Sequence, residues 1–261
     1  RSNESIKFIQ NTNFRELYGL FNFDRQLRNI IFKNILIIEN NIKSVISYNI
    51  SRNYGITEKN YLNPKNFTRE PSKTRQVNDL LKKMKRQIRI NGGQHEATSH
   101  YISNYGYIPP WIVVKVLSFG IVSELYGILK VDDQKNIAAV FNINYQELMS
   151  YLTILSNYRN LCAHEDIVYE HKTERVIPDT EYHDLMEIPK MDGEYIYGKE
   201  DLFAVIIILK HLLRKDDFTL LLNEISYEID VLSGKLNVIP IAKVLDRMGF
   251  PENFKELARL D

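Results

Sequence analysis

Residues 144–164 read NYQELMSYLTILSNYRNLCAH, and the spacing of their apolar positions decides the fold class. Tyr145, Leu148, Leu152, Leu155, Tyr158 and Cys162 recur at steps of three and four, the period of an α-helix with a buried face. Asn144 is placed to cap the first turn. The helix delivers Arg159, Asn160 and His164 at its C-terminal end. Asn160 and His164, four apart, share a face. Arg159 precedes His164 by five positions, about 140° round an ideal helix. For the two to meet at one ligand, the arginine must curl round its own helix, the helix must distort near His164, or a second copy must complete the site across a two-fold axis.

The same period runs outward in both directions. Leu27, Ile30, Ile31, Ile35, Ile38, Ile42, Val45 and Ile46 trace one face of a long helix, with Asp24 as its cap and Gly55 as its stop. A loop is expected over Tyr61–Pro71. Pro71 then opens a basic helix that ends near Gly92-Gly93, and a short helix covers Thr98–Tyr105. Pro109-Pro110 starts a helix with the stripe Trp111, Val114, Leu117, Ile121, Leu125 and Leu129, in which Gly120 permits a close helix contact. Asp132 caps a short helix over Gln134–Phe141. Past the motif, Ile167–Gly198 lacks helical period and reads as an irregular excursion or a hairpin built from Ile167-Val168-Tyr169 and Tyr195-Ile196-Tyr197. Helices resume at Leu202–Arg214 and Phe218–Leu232, and Pro240 and Pro251 open two short terminal ones. The expected fold is therefore an all-α bundle with a small irregular or hairpin insert near residues 167–198.

Composition narrows the function classes. The chain has 261 residues, 44% of them hydrophobic, and 34 Lys+Arg against 33 Asp+Glu give a net charge of +1. That balance points to neither nucleic acid nor membrane, but it hides two opposed patches. Residues 63–92 hold nine basic side chains against two acids, a local +7, and residues 165–201 hold twelve acids against four bases, a local −8. One cysteine, Cys162, cannot close an intramolecular disulfide, which favours a reducing cytoplasm. The first thirty residues carry no signal-peptide pattern. The longest apolar run, Leu202–Leu213, falls short of the roughly 20 residues of a membrane span and reads as a buried helix. The start at Arg1 rather than Met reads as a trimmed chain.

Arg159, Asn160 and His164 are the residue types that cleave RNA without a metal. The ribose 2′-hydroxyl attacks the adjacent phosphorus and the 5′-oxygen leaves. Imidazole, with an ordinary pKa of about 6.5, serves as acid or base near neutrality, for roughly 10²–10⁴-fold in rate. A guanidinium stays charged and its planar fork matches phosphate oxygens. The Arg-x₄-His spacing alone is weak, since short motifs recur by chance. Arg89 and His95 nearly repeat it across the helix-breaking Gly92-Gly93 pair and read as coincidence. On spacing alone a surface arginine and a helix-terminal histidine explain the pattern as well.

The whole string Arg159-Asn160-Leu161-Cys162-Ala163-His164 resembles the Arg-Asn-x-Cys-Ala-His signature of the abortive-infection (Abi) family, the AbiD/AbiF-like proteins, which carry a HEPN ribonuclease motif. Further blocks match in order. Phe23-Asp24-Arg25-Gln26-Leu27-Arg28 and Ile38-Glu39 are similar to the first long helix, Tyr61-Leu62 and Phe67 to the loop after it, and His100-Tyr101, Pro109-Pro110-Trp111, Leu117-Ser118-Phe119-Gly120 and Leu125-Tyr126 to the central helices. The likeness spans roughly residues 12–171. It implies a HEPN-like helical domain over residues 1–172, with residues 173–261 adding the acidic insert and C-terminal helices packed on it. It implies a metal-independent endoribonuclease and homodimer acting in phage defence or as a toxin. A non-coding RNA or a protein inhibitor would restrain it. In that reading His164 is the general acid/base, Arg159 binds the phosphate and transition state, and Asn160 orients the substrate.

Two departures stand out. Ile167 sits where the family often has an arginine, and the family's segment before the first long helix is missing. Neither a cofactor nor a metal is implied, and His171, His183 and His211 lack close zinc-ligand spacing. Arg28 and Glu39 are expected as a structural pair linking helices, with a place near the active site as the alternative, His100 as a packed histidine or else an RNA contact, Trp111 as a core or helix-start anchor, and Cys162 as a packing residue rather than a nucleophile. The RNA-binding candidates are Lys73, Arg75, Lys82, Lys83, Arg86 and Arg89, with Tyr61, Phe67 and Tyr101 nearby to stack on unpaired bases. Two rival readings are an inactive RNA-binding module and a protein-interaction regulator docking through the acidic insert.

Overall fold

The computed structural model describes residues 13–91 and 94–260. Among these there are twelve α-helices and three short 3₁₀ turns, and the only sheet is a two-stranded hairpin, so the fold is all-α. In chain order the helices are α1 (Phe14–Tyr54), α2 (Glu58–Tyr61), α3 (Thr74–Asn91), α4 (Glu96–Tyr105), α5 (Pro110–Val116), α6 (Phe119–Ile128), α7 (Val131–Ala139), α8 (Tyr145–Ala163), α9 (Glu181–Leu185), α10 (Leu202–Leu212), α11 (Lys215–Ser233) and α12 (Ile241–Met248). The hairpin strands β1 (Lys190–Met191) and β2 (Glu194–Tyr195) lie between α9 and α10. Gly92 and Gly93, where the basic helix was expected to stop, lie outside the described residues. The described chain forms two compact units: Ile35–Arg159, and the residues up to Asn34 together with those from Asn160 onward.

In the unit Ile35–Arg159 the core is built on α1. Ile35, Ile38, Ile42, Ile46 and Ile50 fall on one stripe and are buried, as the 3.6-residue period requires. Leu148, Tyr151, Leu152, Leu155 and Tyr158 bury the inner side of α8, and Val77, Leu80, Leu81 and Met84 bury one side of α3, which packs on α5 and α6. A glycine at 120 permits the close contact expected there, because a β-carbon would stand 3.3 Å from Ser156 Oγ on α8. Polar anchors are few and specific. Asp133 on α7 accepts from Asn53 Nδ2 at 2.7 Å and from the Tyr54 hydroxyl, tying down the end of α1. Gly55, with φ +85°, then ends that helix.

Two elements of this unit differ from the sequence reading. The stripe from Trp111 to Leu129 is not one helix. Leu117 is extended and Ser118 starts a new helix, its hydroxyl accepting from Ile121 N, so α5 and α6 are separate. Asp132 lies inside the first turn of α7 rather than capping it.

In the other unit, α1 begins earlier than expected. Asn13 caps it through Glu16 N at 3.1 Å, and Asp24 lies well inside the helix, its carboxylate used elsewhere. Glu16 is buried, and its Oε2 accepts from the backbone N–H groups of Asn237, Val238 and Ile239 at 3.1, 2.9 and 3.2 Å. The apolar run 202–209 is buried on every side as α10, capped by Asp201. The insert holds α9 and the hairpin, whose turn residues Asp192 and Gly193 both take positive φ. Ile167-Val168-Tyr169 takes the irregular course of the two expected, the N–H groups of Val168 and Tyr169 bonding to the Asp24 side chain rather than to a partner strand.

Candidate functional site

The C-terminal end of α8 is shaped by how the helix stops. Ala163 is its last residue and His164 follows as the cap. Glu165 then adopts a left-handed conformation, φ +60°. Asp166 N donates back to Leu161 O at 3.1 Å and Glu165 N to Cys162 O at 3.3 Å, the paired bonds of a Schellman ending. A glycine usually takes the left-handed position; here a glutamate does, at a steric cost of about 1 kcal/mol.

The segment after the cap is clamped from α1. Asp24 Oδ1 accepts from Val168 N at 2.9 Å and Tyr169 N at 3.0 Å. Arg28 pairs with the other Asp24 oxygen and donates to Asp166 O at 3.2 Å. The backbone that follows His164 is therefore tied down. Its imidazole is exposed, as is the Asn160 carboxamide one turn before it, and His164 N donates to Asn160 O at 3.0 Å.

Arg159 has a different setting. Its side chain is half-buried, and its Nε stands 3.5 Å from Glu39 Oε2 on α1. Glu39 is buried, and its Oε1 accepts from Lys43 Nζ at 2.6 Å. One carboxylate thus sits between two cations, leaving a net positive cluster. Arg28 and Glu39, expected as a structural pair, are each buried and ion-paired, but each takes its own partners.

Cys162 lies inside, and burial pushes its thiol up to about 12, with Arg28 opposing and Asp24 reinforcing the shift. A thiol so protonated at neutral pH is a packing group. The other histidines are held structurally. His183 is fully buried, bonded to Thr180 and, through Nε2, to Gly198 O at 2.9 Å, and burial lowers its pKa. His211 packs on Tyr182 with ring centres 5.0 Å apart. Among the described residues no group of three or more His, Cys, Asp or Glu side chains is arranged to hold a metal ion.

The basic candidates lie on α3 and the turn before it. Arg75, Lys82, Lys83, Arg86 and Arg89 occupy the exposed side, opposite the buried Val77–Met84 stripe, and Lys73 is half-buried in the preceding turn. Several have acidic neighbours: Lys73 with Glu70 at 3.3 Å, Arg75 with Asp79 at 3.6 Å, Lys82 with Asp79 at 4.0 Å and Lys83 with Glu124 at 3.0 Å. Tyr61 and Phe67, expected to stack on bases, cannot. Both are core residues, with the Tyr61 hydroxyl bonded to Ile108 O at 2.7 Å. Tyr101 does face solvent in part. His100, expected as packed, is exposed, with Nδ1 3.1 Å from Asn104 Nδ2.

Sequence reasoning did not find the link from Lys43 through Glu39 to Arg159. Its first half was visible as an i, i+4 acid–base pair; its second joins helices far apart in sequence.

No helix among the described residues is long and apolar enough to cross a membrane. No curated protein and no solved structure matches the chain significantly. The family model described as Abi-like protein matches residues 1–170, a span that runs from the Asp24–Arg28 clamp through Glu39 to Arg159 and His164. The chain therefore belongs to the Abi-like, abortive-infection-type protein family.

Proposed function

We propose that this protein is a metal-independent HEPN-type endoribonuclease that acts in abortive infection or as a toxin. Three side chains near the end of α8 carry the chemistry. The 2′-oxygen of a ribose attacks the adjacent phosphorus while the bond to the 5′-oxygen breaks, giving a 2′,3′-cyclic phosphate and a free 5′-hydroxyl. His164 transfers the proton, to the leaving oxygen or from the attacking hydroxyl. Arg159 neutralises the phosphorane oxygens and Asn160 orients the phosphate by hydrogen bonding. Both proton transfers need a group, and a second copy of the chain supplies the second imidazole in a homodimer. The exposed basic face of α3 contributes phosphate contacts that carry no sequence information. A non-coding RNA or a protein inhibitor keeps the activity in check.

The observation that best supports this reading is the treatment of the motif. The backbone just after His164 is anchored to α1 while the imidazole itself stays exposed, and Arg159 faces a buried carboxylate across a 3.5 Å ion pair. A purely structural histidine at a helix end needs no such anchoring.

The deciding experiment incubates end-labelled RNA with purified wild-type protein and with His164→Ala, both in EDTA. Cleavage to cyclic phosphate ends by the wild type alone is the expected result, with both proteins unfolding at the same temperature. Equal cleavage by the variant removes His164 from the mechanism.

A second reading, an RNA-binding module without activity, is favoured by one observation. Ile167 is exposed where a base is common in the family. That reading gives salt-sensitive RNA binding and no products from the wild type.

A further inference from the structure

Exposed aromatic rings on a helical protein require an explanation, since single exposed leucines are ordinary but a contiguous aromatic surface is not. Such a surface lies on α4 and the start of α5. Tyr101 and Tyr105, one turn apart on α4, have ring centres 5.4 Å apart. His100 stands edge-on to both, at 5.7 and 6.1 Å. Trp111 continues the row, its ring 6.4 Å from Tyr101 and its indole N–H donating to the Tyr101 hydroxyl at 3.3 Å.

The row does not end at Trp111. That residue also forms one wall of a groove of 620 Å³, within the range of small-ligand sites. The opposite wall is the exposed face of α1, where Asn40, Ser44 and Tyr48 succeed one another at four-residue steps; the Tyr48 ring is 66% exposed. Lys43 and Lys115 line the groove, the charge of Lys43 already matched by Glu39 behind it. Lys43 is also the residue that holds Glu39, which holds Arg159. The groove is therefore joined to the arginine by a chain of two ion pairs.

π faces in a row, hydroxyl and amide groups between them, and the exposed Lys115 ammonium match one ligand chemistry: unpaired nucleotides, whose bases stack and whose phosphates need positive charge. A duplex offers no free base faces and would gain nothing from the rings. We infer that the Tyr105–Tyr101–Trp111 row and the groove between Trp111 and Tyr48 bind the bases of single-stranded RNA and feed the strand toward Arg159. The inference rests on the nuclease reading for the direction of the strand, but binding is measurable without cleavage.

Trp111 is the only tryptophan in the chain, so its fluorescence reports on the row directly. The full chain carrying His164→Ala is titrated in EDTA with a short unstructured RNA oligonucleotide and with a blunt RNA duplex of equal length. The single strand should quench Trp111 saturably and the duplex should not. Tyr101→Ala and Tyr48→Ala, which keep the reporter, should each weaken single-strand binding about tenfold, while Tyr48→Phe keeps the ring and the affinity. Thermal unfolding of each variant verifies the fold, and Tyr48→Leu replaces Tyr48→Ala if the latter is unstable. Unchanged affinity in both ring-deletion variants overturns the inference, as does equal quenching by duplex. Trp111 fluorescence that changes with protein concentration alone overturns it too, by making the row a contact between copies. Cleavage by the wild type without quenching would remove the base track and keep the nuclease; quenching without cleavage would do the reverse.

Discussion

Glu39 lies between Arg159 and Lys43: its Oε2 stands 3.5 Å from the arginine Nε as an ion pair, while its Oε1 takes the Lys43 ammonium at 2.6 Å. A guanidinium on a flexible stem loses rotamer freedom when it must meet a phosphate, and a fixed partner removes that cost in advance. The same carboxylate also compensates the buried Lys43 charge.

Glu39→Gln should therefore do two separable things. It should destabilise the protein by about 3 kcal/mol, because Lys43 is left buried without its counter-charge. It should also lower kcat for RNA cleavage more than it raises KM, because Arg159 is no longer held where the phosphorane forms. The double variant Glu39→Gln/Lys43→Met separates them. Removing both buried charges should restore most of the lost stability, as replacing an ion pair by apolar groups commonly does, yet leave kcat low. Full recovery of kcat in the double variant would reduce Glu39 to a stability residue.

Glu165 stores backbone strain next to the catalytic candidate. Its φ of +60° is one that glycine adopts freely and a side chain with a β-carbon does not. Glu165→Gly should raise stability by about 1 kcal/mol in denaturant titration while RNA cleavage is retained, since the Schellman bonds use only backbone atoms. If the variant is less stable, the glutamate side chain makes a contribution that outweighs the strain.

How much of this was readable in the sequence follows from the range of each interaction. The stripes on α1 and α8 were legible, because helical period is local and burial follows it, and the unbroken apolar run of α10 was legible as a buried helix. The family was legible too, because its short blocks follow one another in order along the chain. The break at Leu117-Ser118 was missed, since an apolar stripe continues across it and only the serine hydroxyl marks the new start. Asp24 was misread as a cap because its partners, Val168 and Tyr169, are distant in sequence and a buried aspartate looks the same as a capping one. Tyr61 and Phe67 looked like stacking residues beside a basic run, but their aromatic faces fill the core. The exposed row on α4 and α5 shows the converse: sequence distinguishes poorly between a tyrosine that packs and one that waits for a ligand.

Ile167 offers a gain-of-function prediction. It is exposed, so a longer side chain meets no packing constraint, and the family resemblance puts an arginine near this position. Ile167→Arg should tighten RNA binding and steepen its dependence on salt, by about 0.7 in the slope of log K against log salt for one further phosphate contact with a single strand. Cleavage at limiting RNA should rise in parallel. An unchanged slope would show that RNA does not pass this point.

Glu16 makes the acid stability of the protein predictable in sign. Three backbone N–H groups, from Val238, Asn237 and Ile239, together hold its carboxyl below the ordinary glutamate value of 4.5, Val238 most of all and against the opposing effect of burial. A lowered folded pKa means that the folded chain releases this proton more readily than the unfolded chain. The contribution to stability is then complete above the unfolded value and is lost as pH falls from there through the folded value. Glu16→Gln keeps an acceptor oxygen but cannot carry the charge, so it should lower the unfolding midpoint at pH 6 or 7. The difference from wild type should shrink steadily as the pH drops below about 4.5, because the wild-type carboxyl becomes neutral as well. Thermal unfolding of the two proteins across pH 3 to 7 measures this directly. A difference that stays constant over that range would mean that the bonds to 237–239 depend on shape rather than charge, and would withdraw the Glu16 charge as the source of the stability.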